Sequence, residues 1–339
     1  MKVCLYLEFS KFLNGYFYKK TGTGFLSSFK NYLKALRLNE VRVTENLGED
    51  YDILHINIPF LKSLWAARSA RRRGVKIVMS AHATAEDFTG VWRISNFLMP
   101  LARRYYRFAY NKADLVIAPT EYTKNLLLGY PLKKRIEVVS CGVDFLRFSA
   151  QGGSASGGKK TEKRNYHKSR EELIVFNVAN AIPRKGIRSF IGLAEKFPNN
   201  KFFWCGKIFK SFLYKRLPKN LPSNLEFKGF VPDIIEIYRN GDIFVFPSYE
   251  ENQGMVILEA ASTGLPILVR DLPAYKGWLF DGENCLIAKN DEEFSDKLEQ
   301  LLEDAGLRER LGGAAEKMAE SHDLKNIGKN LREIYQSLL

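Results

Sequence analysis

Phe246-Pro-Ser-Tyr-Glu-Glu-Asn-Gln-Gly-Met-Val-Ile-Leu-Glu-Ala-Ala-Ser262 decides how this chain is read. The short apolar run from Ile243 to Phe246 reads as a buried strand, ended by Pro247 and Ser248. Gly254 breaks the loop that follows. Met255, Val256, Ile257, Leu258, Ala260 and Ala261 then have the apolar density of a buried helix. Strand, loop and helix N-terminus is the geometry that binds anions at the edge of an open parallel sheet. Glu251 sits in the loop, and Glu259 about five residues into the helix, roughly 8 Å along it at ~1.5 Å per residue. A carboxylate is a poor phosphate ligand but a good acceptor for hydroxyls. The expected ligand therefore puts phosphates on the backbone amides near Gly254 and a hydroxyl-rich group on either side. A sugar nucleotide has that layout.

Outward from this stretch, strand and helix patterns alternate. Val3 to Phe9, Ile53 to Ile58, Val75 to Ala81, Asp114 to Pro119 and Arg135 to Ser140 read as buried strands, with helices through Phe25–Leu36, Leu61–Arg73 and Val91–Tyr110. Leu173 to Ala179, Lys201 to Cys205, Leu225 to Lys228, Pro266 to Val269 and Cys285 to Ala288 read as strands of a second series. Asn180-Ala-Ile-Pro-Arg-Lys-Gly186 leads into a helix over Ile187–Lys196, and from about Asp291 the pattern is helical to Leu339. Such alternation predicts two doubly wound α/β domains, each binding ligands at the carboxyl ends of its strands, with a cleft between them for a two-substrate reaction. The predicted division is 1–150, a Gly/Ser- then Lys-rich linker or exposed loop at 151–172, a second domain at 173–320, and a last helix at 321–339 packing back on the first domain.

The composition, 45% apolar and 27% charged over 339 residues, is that of a globular protein. No apolar run approaches the ~20 residues of a bilayer span, and the first residues read as a strand rather than a signal peptide. Cys4, Cys141, Cys205 and Cys285 form no CxxC pair, so neither a disulfide framework nor a zinc site is expected and the reducing cytoplasm is the default. The net charge of +14 is unevenly spread. Residues 1–150 hold 24 basic against 12 acidic side chains, and residues 173–339 hold 22 against 23. A basic N-terminal half favours an anionic partner, and the aromatic and Arg-rich helix Val91–Tyr110 suits a membrane interface better than nucleic acid, for which no recognition motif is present. Gly22 and Gly24 form only a displaced, incomplete dinucleotide fingerprint, which disfavours a nicotinamide enzyme.

The motifs together resemble the retaining family-four glycosyltransferases of GT-B fold. Glu251 to Glu259 is similar to that family's E-x7-E signature, with Gly254 at its glycine. Val138-Val-Ser-Cys-Gly-Val-Asp144 with Phe148 resembles its V-x-x-N-G-V-D-x-x-x-F stretch, and Leu272-Pro-Ala-Tyr and Asp281-Gly-Glu-Asn resemble the residues after the signature. Ser248-Tyr-Glu-Glu-Asn-Gln-Gly and Ser80-Ala-His-Ala-Thr-Ala-Glu-Asp87 look closest to enzymes that glycosylate diacylglycerol-type lipids. The resemblance implies transfer of a hexose from a UDP- or GDP-linked sugar, without metal, to a membrane lipid, or alternatively to a soluble or polyprenyl-linked glycan. It implies a cytoplasmic enzyme peripheral on the inner face of the cell membrane, held on anionic lipid by its basic half. Glu251 would hold donor-sugar hydroxyls and Glu259 the ribose. Amides around Gln253, Gly254 and Met255 would touch sugar and diphosphate, Lys185 would offset the diphosphate charge, and His82 would stand beside the reacting sugar. Gly22 to Gly24 would close over the phosphates. The family's arginine is replaced by Asn180, with Arg184 as its substitute, and Cys141 stands where asparagine is common. Glu86 and Asp87 are candidate acceptor-side groups, whereas His55 and Asp144 read as structural.

Overall fold

Strand β1 (Lys2–Tyr6) lies second from one edge of a six-stranded sheet in which every pairing is parallel, in the order β2 (Arg42–Thr44), β1, β3 (Ile53–Ile56), β4 (Lys76–Ser80), β5 (Leu115–Ala118), β6 (Arg135–Val138). The computed structural model describes residues 1–8, 24–88, 95–149, 164–208 and 220–339. Its chain divides into two units. One comprises Met1–Thr89, Ile94–Gly142 and His322–Leu339; the other is chiefly Val143–Ser321.

In the first unit the elements run β1, α1 (Gly24–Leu38), β2 (Arg42–Thr44), β3 (Ile53–Ile56), α2 (Leu61–Arg72), β4 (Lys76–Ser80), α3 (Ser95–Tyr110), β5 (Leu115–Ala118), α4 (Glu121–Leu128) and β6 (Arg135–Val138). A parallel sheet covered on both faces needs apolar side chains at successive positions, not alternate ones, and β3 and β5 are buried throughout. Leu54 and Ile56 pack with Ala66, Ala67 and Ala70 of α2 and with Tyr106 and Tyr110 of α3. Ile53 faces the other way, onto Leu26, Phe29 and Tyr32 of α1. Edge strand β2 was not legible as a strand: Arg42-Val-Thr44 is half-exposed and carries no apolar run.

The second unit opens with α5 (Phe145–Phe148) and continues β7 (Ile174–Val178), α6 (Ile187–Lys196), β8 (Lys201–Cys205), β9 (Leu225–Gly229), α7 (Ile234–Asn240), β10 (Ile243–Phe246), α8 (Met255–Ser262), β11 (Ile267–Arg270), β12 (Leu286–Ala288), α9 (Asp291–Glu303) and α10 (Ala305–Ser321). Its parallel sheet has the order β12-β11-β10-β7-β8-β9. Successive strands are added outward from β7 on one side and from β10 on the other. The neighbours β7 and β10 therefore form the topological switch point, where the loops leaving the strand ends diverge and leave room for a ligand.

The expected linker 151–172 is described from Arg164 onward, and that part is anchored to the second unit. The Arg164 guanidinium donates to the carbonyls of Thr263 (3.1 Å), Tyr238 (2.8 Å) and Gly241. These carbonyls lie at the ends of α7 and α8, so a side chain that reads as solvated caps two helix C-termini.

The last helix, α11 (Leu324–Gln336), belongs to the first unit, where Leu324, Ile327, Leu331 and Tyr335 join the core beneath α1. Gly328 sets how closely it approaches: a Cβ there would lie 2.1 Å from the Ala35 carbonyl oxygen. Gly328→Ala should therefore force α11 from α1 and cost about 1–3 kcal/mol. Urea unfolding should show a lower midpoint with an unchanged slope.

Candidate active site

The site assembles where β7 and β10 end. After β10, Pro247 stops the strand, and residues 248–253 cross to Gly254, whose φ of 82° lies in the left-handed region that glycine enters without strain. Helix α8 starts at Met255. After β7, a turn over Pro183–Lys185 leads to Gly186, with φ 75°, and then to α6. A Cβ on Gly186 would stand 2.0 Å from the Pro247 carbonyl oxygen. Glycine is thus what lets the two loops meet backbone to backbone. There the Tyr249 amide donates to the Arg184 carbonyl (2.8 Å), and Arg184 Nη1 donates to the Glu250 carbonyl (2.6 Å).

Across this junction Lys185 Nζ donates to Glu251 Oε1, and Ser248 Oγ donates to the same oxygen at 2.7 Å. Glu251 Oε2 has no hydrogen-bond partner among the described residues. Only 7% of Glu251 is exposed. Burial pushes its carboxyl pKa up, but the charges of Lys185 and Arg184 and the hydrogen bonds from Lys185 and Ser248 outweigh that, and the net shift is downward. Glu251 is therefore an anchored carboxylate, with Oε1 held by Lys185 and Ser248. Glu259, one to two turns into α8, behaves differently. Burial pushes it up to about 7, against the Tyr238 hydroxyl, which donates to Oε2 at 2.8 Å, and the charge of Arg147.

Arg270, at the end of β11, braces the loop from behind. It donates to the Pro247 carbonyl (3.3 Å), Ser189 Oγ (3.1 Å) and Asp291 (2.9 Å), with its guanidinium 4.1 Å from the centre of the Tyr249 ring. Asn180 lies half-buried just past the end of β7, and Gln253 is buried next to Gly254. Of the residues singled out in the sequence, Arg184, Lys185, Glu251, Gln253, Gly254 and Met255 thus share the two loops, and Glu259 stands deeper on the same helix. Sequence reasoning missed Ser248 as a partner of Glu251, and Tyr238 and Arg270 altogether. Ser248 lies within the signature stretch and could have been found from its i, i+3 spacing; Tyr238 and Arg270 carry no local signal.

The remaining candidates belong to the first unit. His82 is buried just past the end of β4, and burial pushes its imidazole down to about 4, so it is neutral at physiological pH. Gly24 is the first residue of α1; Gly22 lies outside the described residues. Glu86 and Asp87 are occupied locally: Glu86 accepts from Arg103 (2.6 Å) and Tyr130 (2.5 Å), and Asp87 from the Thr84 amide (2.8 Å). His55 is buried between the Tyr335 hydroxyl and Ser80 Oγ (2.7 Å), and desolvation holds its pKa near 3.

A lysine and an arginine at a switch point, the amide row of a helix N-terminus and two carboxylates of different acidity suit a ligand built of hydroxyls around a diphosphate. Residues 16–147 match the family described as Glycosyltransferase Family 4, and residues 158–318 that described as Glycosyl transferases group 1. Over 346 residues the chain is 28% identical to the processive diacylglycerol alpha-glucosyltransferase of Acholeplasma laidlawii, covering all of this chain and 99% of that one. It is 29% identical over 274 residues to the alpha-galactosylglucosyldiacylglycerol synthase of Streptococcus pneumoniae, covering 76% of this chain and 71% of that one. Among solved structures, Anabaena HepE in complex with UDP-glucose is similar with a TM-score of 0.72 at 16% identity, over 99% of this chain and all of the other. That likeness speaks to the fold. With both halves matched and both sheets doubly wound, the chain is a glycosyltransferase of family four with two Rossmann-like domains of the GT-B type.

Proposed function

We propose that this enzyme transfers a hexose from a nucleotide diphosphate sugar to a hydroxyl of a membrane lipid, with retention at the anomeric carbon and without a metal ion. The observation that carries the donor side is Glu251, with Oε1 held by Lys185 and Ser248 and Oε2 unengaged at the switch point. Oε2 takes donor-sugar hydroxyls, and Glu259 takes the ribose. The diphosphate displaces Glu251 as the partner of Lys185, with Arg184, Asn180 and the amides of Gln253, Gly254 and Met255 completing its shell. As the bond from the anomeric carbon to the phosphate oxygen breaks, negative charge grows on the leaving diphosphate. The Lys185 ammonium and the α8 amides stabilise it where a metal would otherwise be needed. Glu251 orients the sugar, and His82 is the hydrogen-bonding partner of the transferred hexose.

The lipid acceptor is supported by the diacylglycerol enzymes among the relatives and by the surface of the first unit. On α3, Tyr106, Ala109 and Tyr110 face the core, while Phe97, Leu101, Arg104 and Phe108 follow one another at helical spacing on the exposed side. On α2, Leu61, Trp65, Arg68 and Arg72 do the same. The Tyr105 hydroxyl donates to the Pro59 carbonyl (2.5 Å), which ties α3 to the segment leading into α2. Trp65 is 81% and Phe97 87% exposed. Apolar residues interleaved with arginines suit an anionic bilayer surface, at about 1 kcal/mol per basic residue near the headgroups. No described helix is long and apolar enough to cross a membrane. In this reading the enzyme works from the cytoplasmic face, bound peripherally through that surface.

The assay is transfer from radiolabelled UDP- and GDP-hexoses into diacylglycerol-type lipids in anionic vesicles. Glu251→Ala should lower it at least about 100-fold, the scale of losing a charge-assisted contact in the transition state; near-native transfer would sink the donor assignment. Trp65→Ser combined with Phe97→Ser should cut co-sedimentation with those vesicles several-fold, and wild-type binding should weaken as salt rises. Lys185→Met leaves a buried carboxylate without its cation and should cost about 3 kcal/mol at pH 7. A carboxyl whose folded pKa is depressed adds stability above its unfolded value and loses it as pH falls through the folded one. The deficit of Lys185→Met should therefore shrink in acid, which urea unfolding at pH 7 and pH 4 would show.

A further inference from the structure

One cavity of the first unit, of about 740 Å³, holds none of the residues assigned to the donor site; it lies between the second half of α3 and the turn after α4. Arg103, Arg104, Arg107 and Phe108 line it from the helix, Lys112 from just beyond the helix end, and Tyr130 from the turn. The spacing of 104, 107 and 108 puts those side chains on one helix face. The walls are fixed from within the fold. The buried Tyr130 hydroxyl accepts from the Ala85 amide (2.9 Å) and donates to Glu86 (2.5 Å). Asn111 Nδ2 donates to the Arg107 carbonyl (2.9 Å) and its Oδ1 accepts from the Lys133 amide (3.1 Å), so the end of α3 is tied to the segment before β6.

The cations around this cavity are unequally matched. Arg103 is neutralised by Glu86 (2.6 Å), and its guanidinium lies 5.5 Å from the centre of the Tyr130 ring. Lys112 Nζ lies 4.7 Å from the centre of the Phe108 ring, a contact that leaves its charge in place. Arg104, Arg107 and Lys112 have no carboxylate partner among the described residues. Three like charges around one hollow repel each other, and an anion between them relieves that repulsion. Two guanidinium forks and an ammonium match the oxygens of a phosphate. Phe97 and Leu101, one to two turns before Arg104 on the same helix, are exposed, and so is Phe108. A soluble phosphate ester needs no apolar side chains beside its site, whereas a lipid brings its chains with its headgroup. We propose that this cavity binds the phosphodiester headgroup of an anionic membrane lipid, with Arg104, Arg107 and Lys112 on its phosphate oxygens. Binding there is stoichiometric and selective for the headgroup, beyond the diffuse attraction of a basic surface. The site rests on the membrane reading above and is independent of the donor assignment.

The test compares vesicles of equal charge. One set carries phosphatidylglycerol in phosphatidylcholine; the other carries cholesteryl hemisuccinate, whose charge is a carboxylate, at the same anion fraction. The wild type should co-sediment with phosphatidylglycerol about tenfold more tightly, the scale of one charge-assisted hydrogen bond. Arg104→Gln combined with Arg107→Gln should abolish that preference. Both side chains are exposed, so this variant should fold as the wild type does. Trp65→Ser combined with Phe97→Ser should instead weaken binding to both sets alike. Equal affinity of the wild type for the two sets, or a preference that survives the double arginine variant, would overturn the site. Millimolar inorganic phosphate at constant ionic strength should leave the protein on phosphatidylglycerol; displacement would make free phosphate the occupant and overturn the lipid assignment. Failure of the wild type to bind either set would sink the membrane reading and the site with it.

Discussion

A buried carboxylate with a lysine against one of its oxygens joins the two loops that leave β7 and β10. Taking both charges out of water costs several kcal/mol per ion, so the pair between Glu251 and Lys185 persists only because hydrogen bonds complete it. Ser248 supplies one to the same oxygen, and the bond from the Tyr249 amide to the Arg184 carbonyl holds together the two loops that carry the pair. That backbone in turn needs Gly186, since any other residue would collide with the Pro247 carbonyl. Two adjacent strand ends, two glycines in left-handed conformations and one ion pair thus form a single unit. Its product is a buried carboxylate held ionised with one oxygen fixed by the protein.

The second carboxylate shows that spacing alone does not set chemistry. Glu251 and Glu259 lie eight residues apart in one motif, yet one is held ionised and the other titrates near 7. The difference is charge: Glu251 feels a lysine and an arginine and accepts from Lys185 and Ser248, whereas Glu259 has a tyrosine hydroxyl and the charge of Arg147 alone. Desolvation acts on both; only the first is compensated.

The first unit uses its excess of positive charge differently. Arg71 pairs with Asp114 and Arg103 with Glu86, while Arg68, Arg72, Arg104 and Arg107 lie exposed beside Trp65, Leu101 and Phe108. Helix α3 serves the core and the surface at once: its tyrosines fill the space over β3 and β4, and its phenylalanines point outward. Its amphipathic pattern is therefore a three-way division, with aromatic residues on both the buried and the exposed side.

Pattern alone determined the doubly wound fold, because strands buried on two faces must be continuously apolar and the helices between them amphipathic. It also determined the strand–loop–helix frame of Glu251 and Glu259, because proline and glycine end and restart structure locally. Strand β2 escaped notice because an edge strand of three residues buries too little to leave an apolar run. The anchoring of residues 164–172 escaped notice because a guanidinium capping two helices looks like any solvated arginine. Only the tertiary structure decided which oxygen of Glu251 is held, why Glu259 titrates near 7, and that Cys141 touches His82. Each depends on partners from distant parts of the chain: Lys185 is 66 residues from Glu251 and Cys141 is 59 from His82. What began as two carboxylates eight residues apart became a site only when folding set a charge beside one of them and a hydroxyl beside the other.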